Sequence, residues 1–340
     1  MSYINKVIKF GNGAKHKTQN TKHILLCGDK NYIKYCGVTL TSILLSNPDE
    51  SFTFHIFCDD LSTQDAGKLK ATALKFHTEI KVYLINLDLF DNFSKDTHGK
   101  GHLSMATYFR FVALGELPIN IDKVLYLDSD ILVRGDISAF WAVNMDDKCT
   151  AVIEDISGAR LAKRLKINKY FNAGVLFIDL KKWKEQNYTS VCIKEAIEKD
   201  YEFLDQDILN VVLDGQFVLF NKFYNYYYSL SRLMDESLKP SLERLPKEVK
   251  ICHFNGASKP WHSWVQCIDA VKEYNAVKEQ SFWNDNKIVT PFEMKKNRYK
   301  YMHKFARLSK KEGNYKDMLY WYINYCVNKI FNIIAQKIKK

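Results

Sequence analysis

The residues with the clearest chemical potential are two aspartates separated by a single serine. Asp128 and Asp130 follow the apolar run Val124–Leu127, which we expect to form a buried strand. Open α/β sheets bind their ligands at the carboxyl ends of strands. Because such carboxylates need a partner, one prediction is a divalent metal ion that bridges to a phosphate. The alternative is a strand that ends in a polar Asp-Ser-Asp turn without a ligand.

A histidine followed by a glycine-lysine loop is the second candidate. His253 ends the apolar run Val249–His253 and is followed by Gly256 and Lys259. A histidine at the end of a strand can ligate a metal ion, and a loop with glycine and lysine can wrap around a phosphate. Taken alone, however, this pattern is typical of a structural loop.

Other polar or small residues stand at the ends of predicted elements. Asn172-Ala173-Gly174 lies in the predicted strand Tyr170–Ile178, where small residues permit close approach of a ligand or of another backbone. Asp205-Gln206-Asp207 opens a predicted helix, where acids are also expected for capping and for the helix dipole alone. Arg110 belongs to a short predicted helix that precedes the strand before Asp128.

The elements that must position these residues begin near the N-terminus. Apolar runs alternate there with amphipathic patterns, which predict strands and helices in turn. In chain order these strands and helices are predicted at 23–29, 32–45, 52–58, 63–76 and 80–85. This order indicates a parallel sheet covered by helices. A dinucleotide-binding fingerprint is not expected, because Gly11-Asn12-Gly13 has His16 where a third glycine is needed and no strand is predicted before it.

Composition limits the class of protein. The chain has 340 residues, of which 46% are hydrophobic, enough for one large α/β domain with an appendage or for two domains. The eight cysteines form no Cys-x-x-Cys pair, so we expect reduced thiols and a cytoplasmic protein. The segment Met1–His23 is polar and basic, which is unlike a secretory signal, and no apolar run is long enough to span a membrane.

The positive charge of the chain is concentrated at one end. From Lys295 onward there are thirteen basic and two acidic residues, a net +11 that equals the net charge of the whole chain. Aromatic residues are interleaved with them at partly helical spacing. This pattern predicts a peripheral attachment to an anionic membrane surface, the alternative being a basic helical hairpin that packs its aromatic face on the main domain.

Together these segments resemble the retaining glycosyltransferase family eight, and within it the bacterial lipopolysaccharide core galactosyl- and glucosyltransferases. The resemblance extends from about Ile24 to Trp261 with the segments in matching order and spacing. It is carried by Cys27-Gly28-Asp29-Lys30-Asn31-Tyr32, Tyr108-Phe109-Arg110, Leu127-Asp128-Ser129-Asp130, Tyr170-Phe171-Asn172-Ala173-Gly174, Asp205-Gln206-Asp207 and His253-x-x-Gly256-x-x-Lys259-Pro260-Trp261.

The resemblance implies a GT-A fold, in which a Rossmann-like sheet binds a nucleotide sugar, and a UDP-glucose or UDP-galactose donor. It implies that Asp128, Asp130 and His253 ligate a divalent metal, with Mn²⁺ favoured over Mg²⁺ because imidazole is among the ligands. The remaining donor contacts would come from Cys27, Asp29, Asn31, Tyr32, Arg110, Ser129, Asn172, Ala173, Gly256 and Lys259. Asp29 would read the uracil edge, and Lys259 would balance the charge of the phosphates.

The resemblance also implies a catalytic group formed by Gln206, Asp205 and Asp130. An amide oxygen is a poor nucleophile, so we expect a front-face displacement in which the Gln206 carbonyl stabilises an oxocarbenium-like state. The alternative is a double displacement with Asp205 or Asp207 as the nucleophile. The expected acceptor is a sugar of the lipopolysaccharide outer core, joined through an α-glycosidic bond.

The expected organisation is an N-terminal extension (1–22), a GT-A catalytic domain (23–262) and a helical C-terminal region (263–340). With its tail on the membrane, the protein would lie on the inner face of the inner membrane and bind no nucleic acid. Rival functions are a glycogenin-like or other UDP-sugar transferase with another acceptor, and a non-catalytic protein that binds UDP-sugar or nucleic acid. A haloacid-type phosphatase is disfavoured, because Leu132 stands where its pattern needs Thr or Val.

Overall fold

Alternating strands and helices build most of the chain. The computed structural model describes residues 2–11, 21–93, 105–230, 244–294 and 298–338, and the side chains of these up to 334. The strands are β1 (Ile4–Phe10), β2 (Lys22–Cys27), β3 (Phe52–Cys58), β4 (Glu79–Ile85), β5 (Lys123–Leu127), β6 (Ile131–Val133), β7 (Thr150–Glu154), β8 (Phe171–Asp179), β9 (Phe217–Leu219), β10 (Tyr226–Tyr227) and β11 (Ile251–His253).

Helices follow most of these strands. They are α1 (Ile33–Ser46), α2 (Thr63–Lys75), α3 (Phe109–Glu116), α4 (Gly158–Leu165), α5 (Leu180–Glu185), α6 (Tyr188–Glu198), α7 (Leu204–Val212), α8 (Asp269–Gln280), α9 (Arg298–Lys311) and α10 (Tyr315–Ile338). The contacts divide the chain into two units. The first contains 1–228, 246–253 and 277–284, and the second contains 229–245, 254–276 and 285–340.

The first unit contains both sheets. The large one has the strand order β1-β4-β3-β2-β5-β8-β7-β9, and the small one has the order β10-β11-β6. Strands β4, β3, β2 and β5 run parallel to one another, and the sequence predicted this direction for β2, β3 and β4. Every residue of β3 is buried, because a central parallel strand is covered on both faces.

Two expectations about the sheet are corrected. The sheet is mixed, since β8 runs antiparallel to both β5 and β7. A strand also precedes Gly11, since β1 pairs antiparallel with β4 at the edge of the sheet. The polar sequence of β1 concealed it, because an edge strand with partly exposed faces needs few apolar residues. The expected absence of a dinucleotide fingerprint still rests on the missing third glycine.

Helix α1 fixes the loop that carries the two aspartates. The Thr39 hydroxyl lies 3.0 Å from the carbonyl oxygen of Ser129 and 2.9 Å from that of Ile131, so its hydrogen is shared between them. Eleven of the fourteen residues of α1 are buried. A buried helix thus holds the Asp-Ser-Asp backbone on both sides of Asp130.

The second unit ends in a helical hairpin. Helices α9 and α10 pack on each other through a small core that includes Met302, Ala306 and Trp321. The rings of Phe305 and Trp321 stack with their centroids 4.7 Å apart. In the part of the chain described here, no helix combines the length and the apolar character needed to cross a bilayer.

Candidate functional site

Pairing between strands brings three candidate metal ligands together. Asp128 directly follows β5, and its backbone N–H donates to the carbonyl oxygen of Gly174 across the sheet, 2.9 Å away. Asp130 precedes β6, whose first residue pairs with His253 at the end of β11. One ligand atom from each of Asp128, Asp130 and His253 lies within 4.8 Å of the others. We call these three residues the metal triad.

Gly174 makes room for the histidine of the metal triad. A Cβ atom at this position would lie 2.1 Å from Cε1 of His253 and 2.9 Å from Oδ2 of Asp128. Any side chain here would therefore push the imidazole away from the carboxylates. This close approach gives a structural reason for the small residue that the sequence places after Ala173.

The donor atoms of the metal triad suit a divalent cation. His253 Nε2 lies 3.2 Å from Oδ1 of Asp130 and 3.7 Å from Oδ2 of Asp128. The His253 side chain is 3% exposed whereas that of Asp128 is 26% exposed, so the cluster is open to solvent on the Asp128 side. Two carboxylates and an imidazole fit Mn²⁺ or another transition-metal ion better than Mg²⁺.

Arg110 and Tyr126 both bind one oxygen of the Asp128 carboxylate. Arg110 donates from Nη2 to Oδ1 of Asp128 at 3.0 Å, and the Tyr126 hydroxyl donates to the same oxygen at 2.6 Å. The guanidinium of Arg110 also lies 4.4 Å from the centre of the Tyr126 ring. Oδ1 is thus occupied by protein donors, and Oδ2 faces His253.

Arg110 also connects the metal triad to two other predicted site residues. Its Nε lies 3.0 Å from Oδ2 of Asp205, and its Nη1 donates to the carbonyl oxygen of Ala173 at 2.7 Å. Asp205 accepts a further hydrogen bond from the Thr107 hydroxyl. Burial raises the pKa of Asp205 to about 6, and the charge of Arg110 opposes that shift.

Gln206 is held rigidly in the first turn of α7. Its carbonyl Oε1 accepts from the backbone N–H of Ala173 at 3.0 Å and from Nδ2 of Asn172 at 3.2 Å. Its Nε2 donates to the Tyr170 hydroxyl at 3.2 Å. The structure thus brings together Gln206, Asn172 and Ala173, three of the residues predicted to surround the hexose.

Asp207 has a structural role. Its side chain is fully buried and forms an ion pair with Arg164 at 2.5 Å. It also accepts from the Tyr170 hydroxyl at 2.6 Å and from the backbone N–H of Phe203 at 3.0 Å. The last contact binds the backbone N–H of Phe203, the residue before α7, and agrees with the capping role that the sequence offered for these acids.

The predicted nucleoside contacts lie at the end of β2. Asp29 Oδ1 accepts from the backbone N–H of Asn31 at 2.8 Å, so Asp29 and Asn31 share one tight turn before α1. Burial, followed by the charges of Asp130 and Asp29, raises the pKa of Tyr32. Burial raises the pKa of the Cys27 thiol, and the nearby charges of Arg110 and Asp128 have smaller, opposite effects on it. These four residues therefore border the same edge as the metal triad.

The remaining predicted residues belong to the second unit or to the backbone of the aspartate loop. Gly256 has a φ of +89°, a conformation that glycine adopts without strain. Lys259 donates from Nζ to the carbonyl oxygen of Phe254 at 3.0 Å, within the same unit. Ser129 is 8% exposed, and its carbonyl oxygen accepts from Thr39.

Several residues at the site were not predicted as site residues from the sequence. They are Thr107, Tyr126, Asp155, Arg164, Tyr170 and Asn225. One signal could have found Tyr126, because residues two apart in a strand point to the same side and Tyr126 stands two before Asp128. The others depend on contacts across 17 to 98 positions of the chain, which spacing does not reveal.

Sequence comparison aligns most of this chain with named proteins. The sequence profile of Glycosyl transferase family 8 matches residues 23–265. A lipopolysaccharide 1,2-glucosyltransferase of Escherichia coli K12 is 32% identical over 267 residues, which cover 76% of this chain and 78% of that protein. A lipopolysaccharide 1,3-galactosyltransferase of Salmonella typhimurium LT2 is 30% identical over 336 residues, which cover 94% of each.

A solved structure shares the fold. The crystal structure of the galactosyltransferase LgtC in complex with donor and acceptor sugar analogues superposes with a TM-score of 0.64 and 26% identity, over 76% of this chain and 96% of that chain. The expected GT-A fold is confirmed, with the helical region following it. The profile match covers well over half of the chain and includes every predicted site residue, so this protein belongs to glycosyl transferase family 8.

Proposed function

We propose that this protein is a retaining hexosyltransferase that moves glucose or galactose from a UDP-sugar to a sugar of the lipopolysaccharide core, forming an α-glycosidic bond. Membership in glycosyl transferase family 8 and the names of the two relatives support this class of reaction. One relative is a glucosyltransferase and the other a galactosyltransferase, which is why the donor hexose stays open between the two.

The observation that carries the proposal is the metal triad beside a rigidly held Gln206. Asp128, Asp130 and His253 would hold the divalent ion, which supplies Lewis-acid stabilisation of the charge on the departing UDP. Arg110 keeps Asp128 in position from the buried side and joins it to Asp205. Such support from a neighbouring buried residue typically maintains a metal ligand in its productive geometry.

The contacts of the two acids favour the front-face displacement over a covalent intermediate. Asp207 has no exposed side-chain surface and is neutralised by Arg164. Asp205 is 5% exposed and is engaged by both Arg110 and Thr107. These contacts make both acids poor candidates for attack on the anomeric carbon. The Gln206 oxygen is hydrogen-bonded as well, so its proposed role is to stabilise positive charge rather than to attack.

The donor would bind along the edge formed by the end of β2 and the metal triad. Asp29, Asn31, Tyr32 and Cys27 are our proposed contacts for the uridine. Asn172, Ala173, Arg110 and Asp205 would surround the hexose. Gly256 and Lys259 of the second unit are the proposed phosphate contacts, with Ser129 contributing through its backbone.

Helix α10 is the proposed membrane attachment. One side of it carries exposed apolar residues throughout its length, among them Leu319, Ile323, Val327, Ile330, Phe331 and Ile334. At 100° per residue these six fall within about one third of the helix circumference. The aromatic side chains of Trp321 and Tyr325 face α9 instead and stabilise the hairpin. An apolar side within a basic segment suits an anionic bilayer surface.

The test is direct turnover with purified protein, Mn²⁺ and truncated core lipopolysaccharides. We expect UDP release and an α-linked hexose with either UDP-glucose or UDP-galactose, and with one of them preferred. Transfer to a glucan or to the protein itself, with no transfer to any core lipopolysaccharide, would support the glycogenin-like alternative. Binding of UDP-sugar without any turnover would instead indicate a non-catalytic protein.

A further inference from the structure

A continuous chain of side-chain hydrogen bonds joins the metal triad to Gln206 and ends at a buried ion pair. Each link is between 2.6 and 3.2 Å long. In order, the side chains that form this relay are His253, Asn225, Asn172, Gln206, Tyr170 and Asp207. Asn225, which immediately precedes β10, is 5% exposed and has neither a charge nor a motif to distinguish it in the sequence.

Two backbone N–H groups determine the direction of every hydrogen bond in the relay. The N–H of Gly174 can only donate, so the atom of Asn172 that it contacts at 3.1 Å must be the oxygen. The Asn225 atom that meets the same oxygen at 2.9 Å is therefore its NH₂ group. The oxygen of Asn225 is consequently the atom that faces Nδ1 of His253, 2.9 Å away.

The same argument fixes the direction of the hydrogen bonds between Asn172 and Asp207. The N–H of Ala173 fixes the oxygen of Gln206, which then accepts from the NH₂ group of Asn172. The NH₂ group of Gln206 donates to the Tyr170 hydroxyl, and this hydroxyl donates its own hydrogen to Asp207. All hydrogen bonds thus point from His253 towards the carboxylate that Arg164 neutralises.

We propose that Asn225 is a positioning residue that sets the tautomer of His253 and, through Asn172, the orientation of the Gln206 amide. Because the Asn225 oxygen can only accept, Nδ1 of His253 carries the hydrogen. That leaves Nε2, the nitrogen that faces Asp128 and Asp130, as the one that would coordinate a metal ion. This inference rests on the proposed function only where it concerns turnover, since the tautomer and the metal affinity are properties of the protein itself.

Two substitutions separate the two roles of Asn225. Asn225→Leu removes both the acceptor for His253 and the donor for Asn172. Asn225→Asp keeps an acceptor for His253 but cannot donate to Asn172. The Asn172 oxygen, which the Gly174 N–H holds in place, would then face the new carboxylate with no hydrogen between them. We expect this repulsion to displace Asn172 and weaken its hydrogen bond to the Gln206 oxygen. The matched control is Asn47→Leu, because Asn47 is equally buried at 5% exposure and, in the described structure, its side chain bonds to backbone groups of Ile43, Gly135 and Ile137.

The experiment combines ¹⁵N NMR of histidine-labelled, metal-free protein with Mn²⁺ titration of the full chain. In the wild type we expect His253 to carry its hydrogen on Nδ1. Asn225→Leu should mix the tautomers and weaken Mn²⁺ binding by roughly 10- to 100-fold, the usual effect of losing a partner of a metal ligand. Asn47→Leu should change neither readout, even if it lowers the stability of the fold.

Turnover supplies the second readout. Asn225→Asp should leave the Nδ1–H tautomer and Mn²⁺ affinity within a few-fold of wild type while lowering kcat by roughly 10- to 100-fold with little change in KM for the donor. A wild-type tautomer and wild-type Mn²⁺ affinity in Asn225→Leu would overturn the assignment to His253. Wild-type kcat in Asn225→Asp would overturn the coupling to Gln206. If the wild type has no transferase activity, the proposed function fails while the NMR and Mn²⁺ arms still decide the role of Asn225.

Discussion

At the scale of single residues, the site is defined by which polar atoms are already engaged. Asp128 uses Oδ1 for Arg110 and Tyr126 and keeps Oδ2 towards His253. Gln206 presents a carbonyl whose direction is fixed by Ala173 and Asn172. An electrostatic stabiliser that is held in place before the reaction does not have to reorganise during it, which is the main source of such stabilisation.

Gln206→Ala tests the charge-stabilising role. We expect kcat to fall by roughly 10²-fold, the scale for loss of one electrostatic stabiliser. The affinities for UDP and Mn²⁺ should change little, because the Gln206 side chain bonds to Tyr170, Asn172 and Ala173, none of which belongs to the metal triad. Rapid-quench mass spectrometry tests the alternative double displacement. A trapped glycosyl adduct on Asp205 or Asp207 would contradict the front-face displacement.

At the scale of elements, strand pairing explains both the site and a pH dependence. His23, His55 and Tyr83 on β2, β3 and β4 form a chain of two hydrogen bonds, each 3.0 Å long. Burial, together with Lys81, lowers the pKa of His23 to about 4. Burial, His23 and Lys81 lower the pKa of His55. Both imidazoles are therefore neutral in the folded protein at pH 7.

Protonation of these histidines favours the unfolded chain, where their pKa is near 6.5. The stability that they contribute is fully present above about pH 6.5 and is lost as the pH falls towards about 4, because the unfolded state then binds more protons. We expect His23→Gln to reduce that loss by roughly 1–3 kcal/mol. Urea unfolding at pH 7.5 and pH 5 measures it, and an unchanged pH dependence in the variant would refute this role.

Much of the fold was predictable because its local patterns are strong. The run 52–58 was predicted as a strand with the bounds that β3 has, and the parallel order of β2, β3 and β4 followed from the alternation of strands and helices. The antiparallel direction of β8 was not predictable, because hydrophobic periodicity carries no information about strand direction. The polar edge strand β1 lacked a pattern to detect.

Only part of the candidate site was predictable from the sequence. Carboxylates and a histidine at strand ends indicated where ligands would bind, and the structure brings Asp128, Asp130 and His253 together. The supporting residues Asn225 and Arg164 could not be assigned, because their roles arise from contacts between distant segments, whereas the position of Tyr126 two residues before Asp128 could have indicated its role. The small residue Gly174 was noted for close approach, and the structure identifies His253 and Asp128 as the groups that approach it.

At the scale of the whole molecule, charge and apolar surface meet in the last two helices. The proposed attachment through the exposed side of α10 predicts that Ile330→Glu weakens binding to anionic liposomes at least about tenfold, because a charge would replace an apolar contact with the acyl region. Asn328→Glu adds the same charge on a different side of α10 and is the control, with a much smaller expected loss. Equal flotation of both variants with anionic liposomes would contradict the proposed orientation.

The central claim is that the metal triad supports transfer from a UDP-hexose. The most direct test measures UDP release from UDP-glucose and UDP-galactose in the presence of acceptor, first with chelator and then with Mn²⁺ restored, for the wild type and for Asp130→Ala. The account predicts that chelator abolishes release, that Mn²⁺ restores it in the wild type, and that Asp130→Ala stays inactive in both conditions. Undiminished release in chelator, or a fully active Asp130→Ala protein, would contradict it.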